Sequence, residues 1–296
     1  MTHLPVLLSE VLEYLNPQTG QKFIDATING GGHGLAIAEK IQPSGKLLGI
    51  EWDREIFKSL KFKVENLPWR ENIILINDTY VNLKKVAEEN GFMGADGVLF
   101  DFGISSWHLE SGRGFSFQKD EILDMRFSPE LTVSALEIVN QWPEEELEKV
   151  IKEYGEESFA RQIAKEIIEQ RKNGIIRTTG RLVEVIKKAV PRWYANRRLH
   201  PATKTFQGLR MAVNQELENI EKGMRAALEI LKSGGSLAVI SFHGLEDKVI
   251  KKMALEAKRQ GILKVMTKNV VRPSWEEIKN NPRARSAKLR VYEKII

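Results

Sequence analysis

The sequence predicts an α/β fold in which a doubly wound parallel sheet is interrupted by an inserted helical domain. Short apolar runs alternate with segments of helical period up to Asp101, and the same alternation resumes after Asn214. This alternation is typical of a parallel sheet with helices on both faces. Between the two regions, amphipathic segments follow one another without strands. The middle of the chain is therefore expected to be a helical insertion.

The first region is expected to contain four strands and the helices that connect them. A helix is predicted first over residues 4–15, where apolar residues recur at helical spacing. The strands are short apolar runs at 23–27, 47–51, 73–77 and 97–100. The connecting helices are predicted at 35–41, 55–66 and 81–90.

The rest of the chain divides into the insertion and the end of the sheet domain. Residues 112–117 read as a loop, 134–188 as amphipathic helices that include 144–154 and 159–171, and 191–201 as a break. A helix over 214–231 with a glycine stop at 234–235 precedes a strand at 236–242, a helix at 246–260 and strands at 263–267 and 289–294. The predicted domains are 1–106 with 213–296 for the sheet and 107–212 for the insertion. Ligands bind beyond the carboxyl ends of parallel strands, so we expect the insertion to shape a substrate cleft there.

A glycine-rich loop after the first strand is the strongest functional signal. The strand ends near Asp25, and Gly30, Gly32 and Gly34 follow at alternate positions. Such a loop turns tightly and lets a ligand approach the backbone without Cβ obstruction. About twenty residues further on, Glu51 closes the second strand, where a carboxylate can accept hydrogen bonds from ribose hydroxyls. The pattern predicts a site for an adenosine-containing cofactor.

The glycine spacing favours one cofactor over two others. The dinucleotide fingerprint requires a glycine at the position of Leu35, and no Walker lysine follows the loop. S-adenosylmethionine fits better, because it has no pyrophosphate for the helix to bind. A nicotinamide-dependent oxidoreductase and a non-catalytic RNA-binding protein on the same fold stay open as alternatives.

Three further residues are candidates for the same site. Asp101 ends the fourth strand and is expected to project toward the glycine loop. There it could accept hydrogen bonds from a cofactor ammonium group or from an amine that is methylated, or it could simply cap a helix. Tyr80 could stack on adenine or pack at the core edge. His33 is expected to offer backbone rather than imidazole contacts.

The charge of the chain is unevenly distributed. The 296 residues carry a net charge of +5. Residues 175–212 hold nine Lys or Arg against Glu184 alone, which gives +8 there and leaves −3 for the rest. Trp193, Tyr194 and Phe206 lie within this basic segment. Cations interleaved with aromatic rings favour a surface that binds a polyanion, with Arg197, Arg198 and Lys204 as candidates. A solvated helix face and a protein partner with an acidic face stay open as alternatives. Arg283 and Arg285 are a second set of possible phosphate contacts.

Composition excludes several classes of site. The chain has no cysteine, which rules out disulfides and thiolate ligands, and none of its five histidines pairs with another at metal-ligand spacing. We therefore expect no metal. The apolar runs are too short to cross a bilayer, and no secretory signal is recognised at the start. A cytoplasmic location without membrane contact is expected, and the oligomeric state stays open.

The chain resembles the MraW/RsmH family of bacterial ribosomal RNA methyltransferases over nearly its whole length. Seven motifs carry the resemblance: Asn29-Gly-Gly-Gly-His33, Asp101-Phe-Gly-Ile-Ser-Ser106, Arg113-Gly-Phe-Ser-Phe117 with Leu123-Asp-Met-Arg126, Tyr154-Gly-Glu-Glu157, His200-Pro-Ala-Thr-Lys-Thr-Phe-Gln207, Ile240-Ser-Phe-His-Gly-Leu-Glu-Asp247 and Asn281-Pro-Arg-Ala-Arg-Ser286. The resemblance implies a Rossmann-like class I methyltransferase sheet, mostly parallel with an antiparallel last strand. It also implies methylation of cytosine N4 in small-subunit (16S) ribosomal RNA, free or in the small ribosomal subunit, with S-adenosylmethionine as cofactor.

The resemblance also implies roles for individual residues. It implies cofactor contacts from Gly31, Gly32, His33, Glu51, Tyr80, Asp101 and His108. The glycine loop itself adds Gly30 to the expected cofactor contacts. Asp101 is the expected catalytic residue, and His200 joins the expected RNA contacts. This chain departs from the family at Glu51, where Asp is usual, at Trp107-His108, where Pro-Gln is usual, and at Gly244, where Ser is usual.

Overall fold

A computed structural model describes residues 5–296, which form two compact units. The sheet unit consists of the chain up to Gly103 together with Leu217–Ile296, and the inserted unit is Ile104–Glu216. The predicted start of the first helix, at Leu4, lies outside the described residues. Among the helices of residues 5–296, none has the length and apolar character that crossing a bilayer requires.

The sheet unit is built on seven strands in the order β3-β2-β1-β4-β5-β7-β6. The strands are β1 (Lys22–Asp25), β2 (Lys46–Ile50), β3 (Ile73–Ile76), β4 (Ala95–Asp101), β5 (Leu231–Ser241), β6 (Leu263–Val265) and β7 (Lys288–Lys294). The pairs within β3-β2-β1-β4-β5 are parallel, and β7 is antiparallel to both β5 and β6. The predicted α/β class, with a mostly parallel sheet and an antiparallel last strand, is confirmed.

Helices connect the strands and form the inserted unit. In chain order they are α1 (Leu8–Leu15), α2 (Gly32–Lys40), α3 (Arg54–Glu65), α4 (Leu83–Glu89), α5 (Ser106–Glu110), α6 (Ala135–Gln141), α7 (Glu144–Glu153), α8 (Ala160–Lys172), α9 (Thr179–Ala189), α10 (Arg192–Ala195), α11 (Ala202–Val213), α12 (Glu216–Ile230), α13 (Gly244–Arg259) and α14 (Trp275–Asn280). Short 3-10 turns occur at Arg70–Asn72, Tyr80–Asn82 and Pro282–Ser286.

Both faces of the sheet are buried. Successive side chains of a strand point to opposite faces, and here they enter two different apolar cores. In β4, Val98 and Phe100 pack into one apolar core, while Leu99 packs into the other. In β1, Ile24 and Phe23 divide between the same two cores. Strands covered on both sides read as continuous apolar runs, which is why the sequence predicts them well.

The register places several loops at one edge of the sheet. The carboxyl ends of β1, β2, β4 and β5 lie side by side, since Asp25 pairs with Leu99 and Asp101 pairs with Ile240. The start of β7 joins them, because Lys288 pairs with Ser241. The glycine loop and the connection from β6 to β7 therefore begin at this carboxyl edge.

The predicted glycine stop after the long helix is wrong. Helix α12 ends at Ile230, and β5 begins at the next residue, Leu231, which pairs with Ala95 of β4. The register then shifts between Ala95 and Gly97, so Ser236 pairs with Gly97. The two glycines lie inside an irregular strand rather than in a separate loop, because pairing with β4 begins before them.

The inserted unit has an apolar core of its own. Helices α7, α8 and α9 bury one stripe each, with Leu147, Ile163 and Leu182 fully inaccessible. Asn214, which follows α11, donates to the carbonyl of Met125 at 2.8 Å and accepts from the N–H of Phe127 at 2.8 Å. These bonds tie the long 111–134 connection to the helices.

Candidate functional site

The glycine loop turns at Asn29 and Gly31 rather than at Gly30. Asn29 has φ 47° and Gly31 has φ 81°, both left-handed, and Gly31 is the residue before α2. A Cβ at Gly31 would lie 2.8 Å from Leu60. Gly30 is exposed, and a Cβ there would meet nothing within 4 Å. The tight turn therefore lies at Asn29 and Gly31 rather than at Gly30, and there is open space beside Gly30.

The remaining glycines allow close packing beneath the loop. A Cβ at Gly34 would come within 2.8 Å of the carboxylate of Asp25, and one at Gly32 within 2.9 Å of Pro5. Asp25 is 1% exposed and accepts the N–H of Thr27 at 3.2 Å. Burial raises the pKa of Asp25 to about 7, against the opposing effect of His33. This carboxyl supports the loop from below.

Glu51 closes β2 and is tied to the loop backbone. Its Oε1 accepts the N–H of Asp53 at 2.7 Å, and its carboxylate also accepts the backbone N–H of Asn29. Burial raises the pKa of Glu51 to about 8, and the Asp53 N–H opposes this rise. The structure thus gives Glu51 a supporting role at the left-handed Asn29. Its predicted contact with a ribose stays a prediction.

Asp101 is the last residue of β4, and one of its oxygens is not satisfied by the protein. Its Oδ1 is buried and has no hydrogen-bond partner among residues 5–296. Burial raises the pKa of Asp101 to about 7, and the nearby Glu246 carboxylate adds to the rise. A buried acceptor without a donor costs free energy unless a ligand supplies that donor.

His33 faces Asp101, and a hydrogen bond to the backbone fixes the tautomer of its ring. Its Nε2 lies 2.8 Å from the carbonyl oxygen of Val6, which can only accept, so the proton sits on Nε2. Nδ1 lies 3.6 Å from Oδ2 of Asp101. Burial lowers the pKa of His33, while the Asp25 carboxylate opposes this. The structure therefore places the imidazole of His33 at this edge, whereas the sequence predicted backbone rather than imidazole contacts.

Tyr80 lies at the edge of the apolar core. Its ring centroid is 5.8 Å from Phe100 and 5.5 Å from Phe102, in edge and tilted contacts. It is half-buried, so part of its ring stays accessible. Both the stacking role and the core-edge role are compatible with this placement, and the cofactor contact stays a prediction.

His108 belongs to the inserted unit and shapes the start of α5. Its Nδ1 accepts the N–H of Ser105 at 3.1 Å in a reciprocal cap. The ring is 4% exposed and lies 4.8 Å from Phe127 and 5.2 Å from Phe115, centroid to centroid. Nδ1 is thus occupied by the helix cap, and the predicted cofactor contact of His108 is untested.

The basic segment of the inserted unit presents cations beside aromatic rings. The guanidinium of Arg197 lies 4.7 Å from the ring of Trp193 and 4.8 Å from that of Tyr194. Trp193 is 59% exposed, and Arg197 and Arg198 are exposed. Tyr194 is buried and donates its hydroxyl hydrogen to the Glu157 carboxylate at 2.7 Å.

Two other predicted RNA contacts in the inserted unit have structural partners. The ammonium of Lys204 donates to the carbonyl of Glu156 at 2.6 Å. The ring of His200 stacks on Phe117 at 4.7 Å, and its Nδ1 accepts the N–H of Ala202. In the sheet unit, Arg283 and Arg285 are exposed in the 3-10 turn before β7. The RNA contacts predicted for these residues stay predictions.

Two contributors to the site are not among the predicted site residues. Glu246 is 1% exposed and accepts the N–H groups of Phe242 and His243 at 2.8 and 3.0 Å, which brings another carboxylate close to Asp101. Its position three residues after His243, at the start of a helix, was the available signal. Val6 is the second contributor, through its carbonyl, and no sequence signal identifies such a backbone contact.

The sequence profile of the MraW methylase family matches residues 1–295. The chain belongs to this family. The relative from Thermosipho melanesiensis is 46% identical over 99% of this chain and 98% of its own length. The relative from Persephonella marina is 41% identical over 99% of both chains. Each is named ribosomal RNA small subunit methyltransferase H.

The fold is shared with a solved structure from Clostridium thermocellum. That structure, described as a proposed rRNA methylase, covers 99% of this chain and 98% of its own with a TM-score of 0.50 and 13% identity. At this identity the likeness shows the fold alone. The family membership confirms the predicted enzyme class, a methyltransferase that uses S-adenosylmethionine. The oxidoreductase alternative is not supported.

The carboxyl edge of this MraW methylase fits its cofactor. S-adenosylmethionine carries a cationic sulfonium and an ammonium group, and buried carboxylates favour cations. Asp25, Glu51, Asp101 and Glu246 meet at this edge, and the buried Oδ1 of Asp101 lacks a protein donor among residues 5–296. Within the same residues, no group of three His, Asp or Glu side chains could hold a metal ion.

Proposed function

We propose that this protein transfers the methyl group of S-adenosylmethionine to the N4 amino group of a cytosine in small-subunit ribosomal RNA. The names of the relatives support the RNA substrate, and the resemblance to the MraW/RsmH family supports the cytosine N4 position. The observation that carries the proposal is the buried Oδ1 of Asp101 beside the glycine turn. That oxygen is an acceptor placed for an N–H donor.

We assign the cofactor to the glycine loop and the strand ends beside it. Gly30, Gly31 and Gly32 offer backbone, Glu51 offers a carboxylate to the ribose, and Tyr80 offers its accessible ring edge to the adenine. When bound, S-adenosylmethionine supplies an electrophilic methyl group on a positively charged sulfur. His33 and Asp101 complete the assigned contacts, and His108 of the inserted unit is a further candidate.

Asp101 is assigned the task of orienting the amine. The exocyclic nitrogen of cytosine is a poor nucleophile, because its lone pair is delocalised into the ring. An acceptor that holds one amino hydrogen turns the lone pair toward the methyl group, and such alignment supplies much of the acceleration. The carboxylate also stabilises the positive charge that develops on nitrogen.

Asp101 can also receive the proton that the nitrogen releases. A carboxyl group with a pKa of about 7 is half protonated near neutral pH, so it accepts and returns a proton with little cost. The ionised form of Asp101 takes this proton. In the protonated form, the lone pair on Nδ1 of His33 favours the proton on Oδ2, so Oδ1 can still accept a hydrogen bond from the amino group. The target base must leave its stack to reach this edge, which suits single-stranded or distorted RNA.

The proposal predicts that Asp101→Asn loses methyl transfer. Removing one positioned charge-stabilising group costs roughly 100-fold or more in turnover. The assay uses small ribosomal subunits from cells that lack this gene, isotopically labelled S-adenosylmethionine and mass spectrometry of the RNA nucleosides. Wild-type protein is expected to produce one N4-methylated cytidine.

Asp96→Asn is a matched control, because Asp96 lies at the opposite end of β4. Its carboxylate accepts the N–H of Lys22 at 2.8 Å and pairs with Lys232, away from the carboxyl edge. We expect this variant to keep its turnover. Methylation at another atom by the wild-type protein would contradict the N4 assignment, and near-normal turnover of Asp101→Asn would remove Asp101 from the mechanism.

A further inference from the structure

The connection from β6 to β7 brings an exposed tryptophan to the catalytic edge of the sheet. Strand β6 runs parallel to β5, because both are antiparallel to β7. The connection, residues 266–287, therefore leaves β6 and enters β7 at the carboxyl edge, where Asp101 lies. It contains α14, whose first residue is Trp275.

Contacts along the chain hold α14 close to Asp101. The carboxylate of Glu277 in α14 accepts the N–H of Leu7 at 2.8 Å. The carbonyl of the preceding residue, Val6, accepts a hydrogen bond from Nε2–H of His33, and Nδ1 of His33 lies 3.6 Å from Oδ2 of Asp101. Three short contacts thus link α14 with the carboxylate that we assign to catalysis.

The two faces of α14 differ in character. Glu276, Glu277 and Asn280 line a cleft shared with α1. Trp275 and Lys279 are one helical turn apart, so they share a face, and neither lines that cleft. Trp275 is 78% exposed, so most of its indole ring is available to a ligand.

Exposed cations flank this tryptophan along the connection. The connection holds five Lys or Arg residues against Glu276 and Glu277, a net charge of +3, and all five are exposed. They are Lys268, Arg272, Lys279, Arg283 and Arg285. We call Trp275 and these five cations the Trp275 surface. An exposed indole among cations is the combination that binds single-stranded nucleic acid by stacking and phosphate contacts.

We propose that Trp275 stacks on an unpaired base next to the methylated cytosine, while the cations of the Trp275 surface bind the flanking phosphates. The proposal rests on the proposed function, which supplies an RNA substrate. When the target base leaves its stack, the neighbouring bases lose a stacking partner. An indole ring can replace that partner. The positive charge favours RNA over an apolar protein partner.

The test compares methylation kinetics of variants on small ribosomal subunits from cells that lack this gene. Trp275→Ala is expected to raise KM for the subunit roughly ten-fold or more, because stacking on an aromatic side chain contributes on that order. Turnover at saturation and the Kd for S-adenosylmethionine are expected to stay unchanged. Trp275→Phe is expected to restore most of the affinity, and Lys279→Gln to lower the salt dependence by roughly one phosphate contact.

Phe62→Ala is the matched control for an exposed aromatic residue. Phe62 is 72% exposed on α3 of the same unit, on the side of that helix opposite Leu60, which packs under Gly31. A KM of Trp275→Ala equal to that of Phe62→Ala would overturn the inference while leaving the proposed function intact. Absence of methylation by the wild-type protein would instead overturn the proposed function, and this inference with it.

Cross-linking identifies what the Trp275 surface contacts. The variant Trp275→p-benzoylphenylalanine, irradiated on the same subunits, is expected to cross-link to RNA nucleotides near the methylated cytosine. The same substitution at Phe62 provides the background. Cross-links to ribosomal proteins, or none above that background, would show that this surface serves another purpose.

Discussion

Asn29 and Gly31 show how single residues prepare the backbone for a ligand. Both adopt left-handed φ values, and the Glu51 carboxylate accepts the N–H of Asn29. Gly31 has no room for a Cβ beside Leu60, whereas Gly30 faces open space. The two adjacent glycines therefore differ in purpose. One is required by the fold, and we assign the other to the approach of the cofactor.

Substitutions at these two glycines are expected to separate an effect on stability from an effect on cofactor binding. Gly31→Ala is expected to destabilise the protein by about 1–3 kcal/mol, because alanine must adopt a strained left-handed φ and displace Leu60. Gly30→Ala is expected to leave the free energy of unfolding unchanged and to weaken S-adenosylmethionine binding. Denaturant unfolding and calorimetric titration measure the two effects. Unchanged cofactor affinity in Gly30→Ala would show that the cofactor does not pass over this residue.

At the scale of single elements, the break between α9 and α11 carries exposed cations beside aromatic rings. Helix α10 is short, and Arg197 and Arg198 follow it with their side chains exposed. Lys204 differs from them, because its ammonium already donates to the Glu156 carbonyl. The two arginines are thus the better candidates for phosphate contacts, while Lys204 also supports the fold.

The double variant Arg197→Gln with Arg198→Gln is expected to weaken RNA binding and to spare cofactor binding. Each lost phosphate contact lowers the slope of log K against log salt by about 0.7–0.9. Titrations of small-subunit RNA at several salt concentrations measure this slope. Arg181→Gln with Lys188→Gln removes the same charge from α9, where both cations pair with glutamates at 2.9 and 2.7 Å. Equal losses in both double variants would indicate a general charge effect.

The elements that the sequence predicted best are those whose environment is uniform. Strands buried on both faces, such as β2 and β4, appear as apolar runs within two residues of their observed bounds. Helix α14 was not predicted, because it has six residues and none of them is buried. Asp101 was located correctly at a strand end, yet the lone acceptor Oδ1 depends on tertiary contacts that no spacing encodes.

For the whole molecule, three buried carboxyl groups make stability depend on pH. Burial raises the pKa of Asp25 and Asp101 to about 7 and that of Glu51 to about 8, from ordinary values of 3.8 and 4.5. Between these values the folded chain holds more protons than the unfolded chain. Their contribution to stability therefore declines as pH rises from about 4 to about 8.

The Tm of the cofactor-free protein is accordingly expected to fall as the pH is raised from 5 to 8.5. The triple variant Asp25→Asn, Glu51→Gln, Asp101→Asn is expected to show a flatter profile, since its amides do not ionise. Calorimetry across this pH range measures both profiles, and saturating S-adenosylmethionine is expected to raise Tm most at the alkaline end. Parallel profiles for the two proteins would contradict the assigned titrations.

The position of β5 in the sheet has a consequence for synthesis of the chain. Strand β5 pairs with β4 along most of its length, but the inserted unit, Ile104–Glu216, separates the two in sequence. A growing polypeptide emerges at roughly 5–20 residues per second, so β4 waits on the order of ten seconds for its neighbour. During that interval its hydrogen-bonding edge is open to other nascent chains. Chaperone demand during translation should therefore peak while the insertion is being made, and fall once β5 has left the exit tunnel.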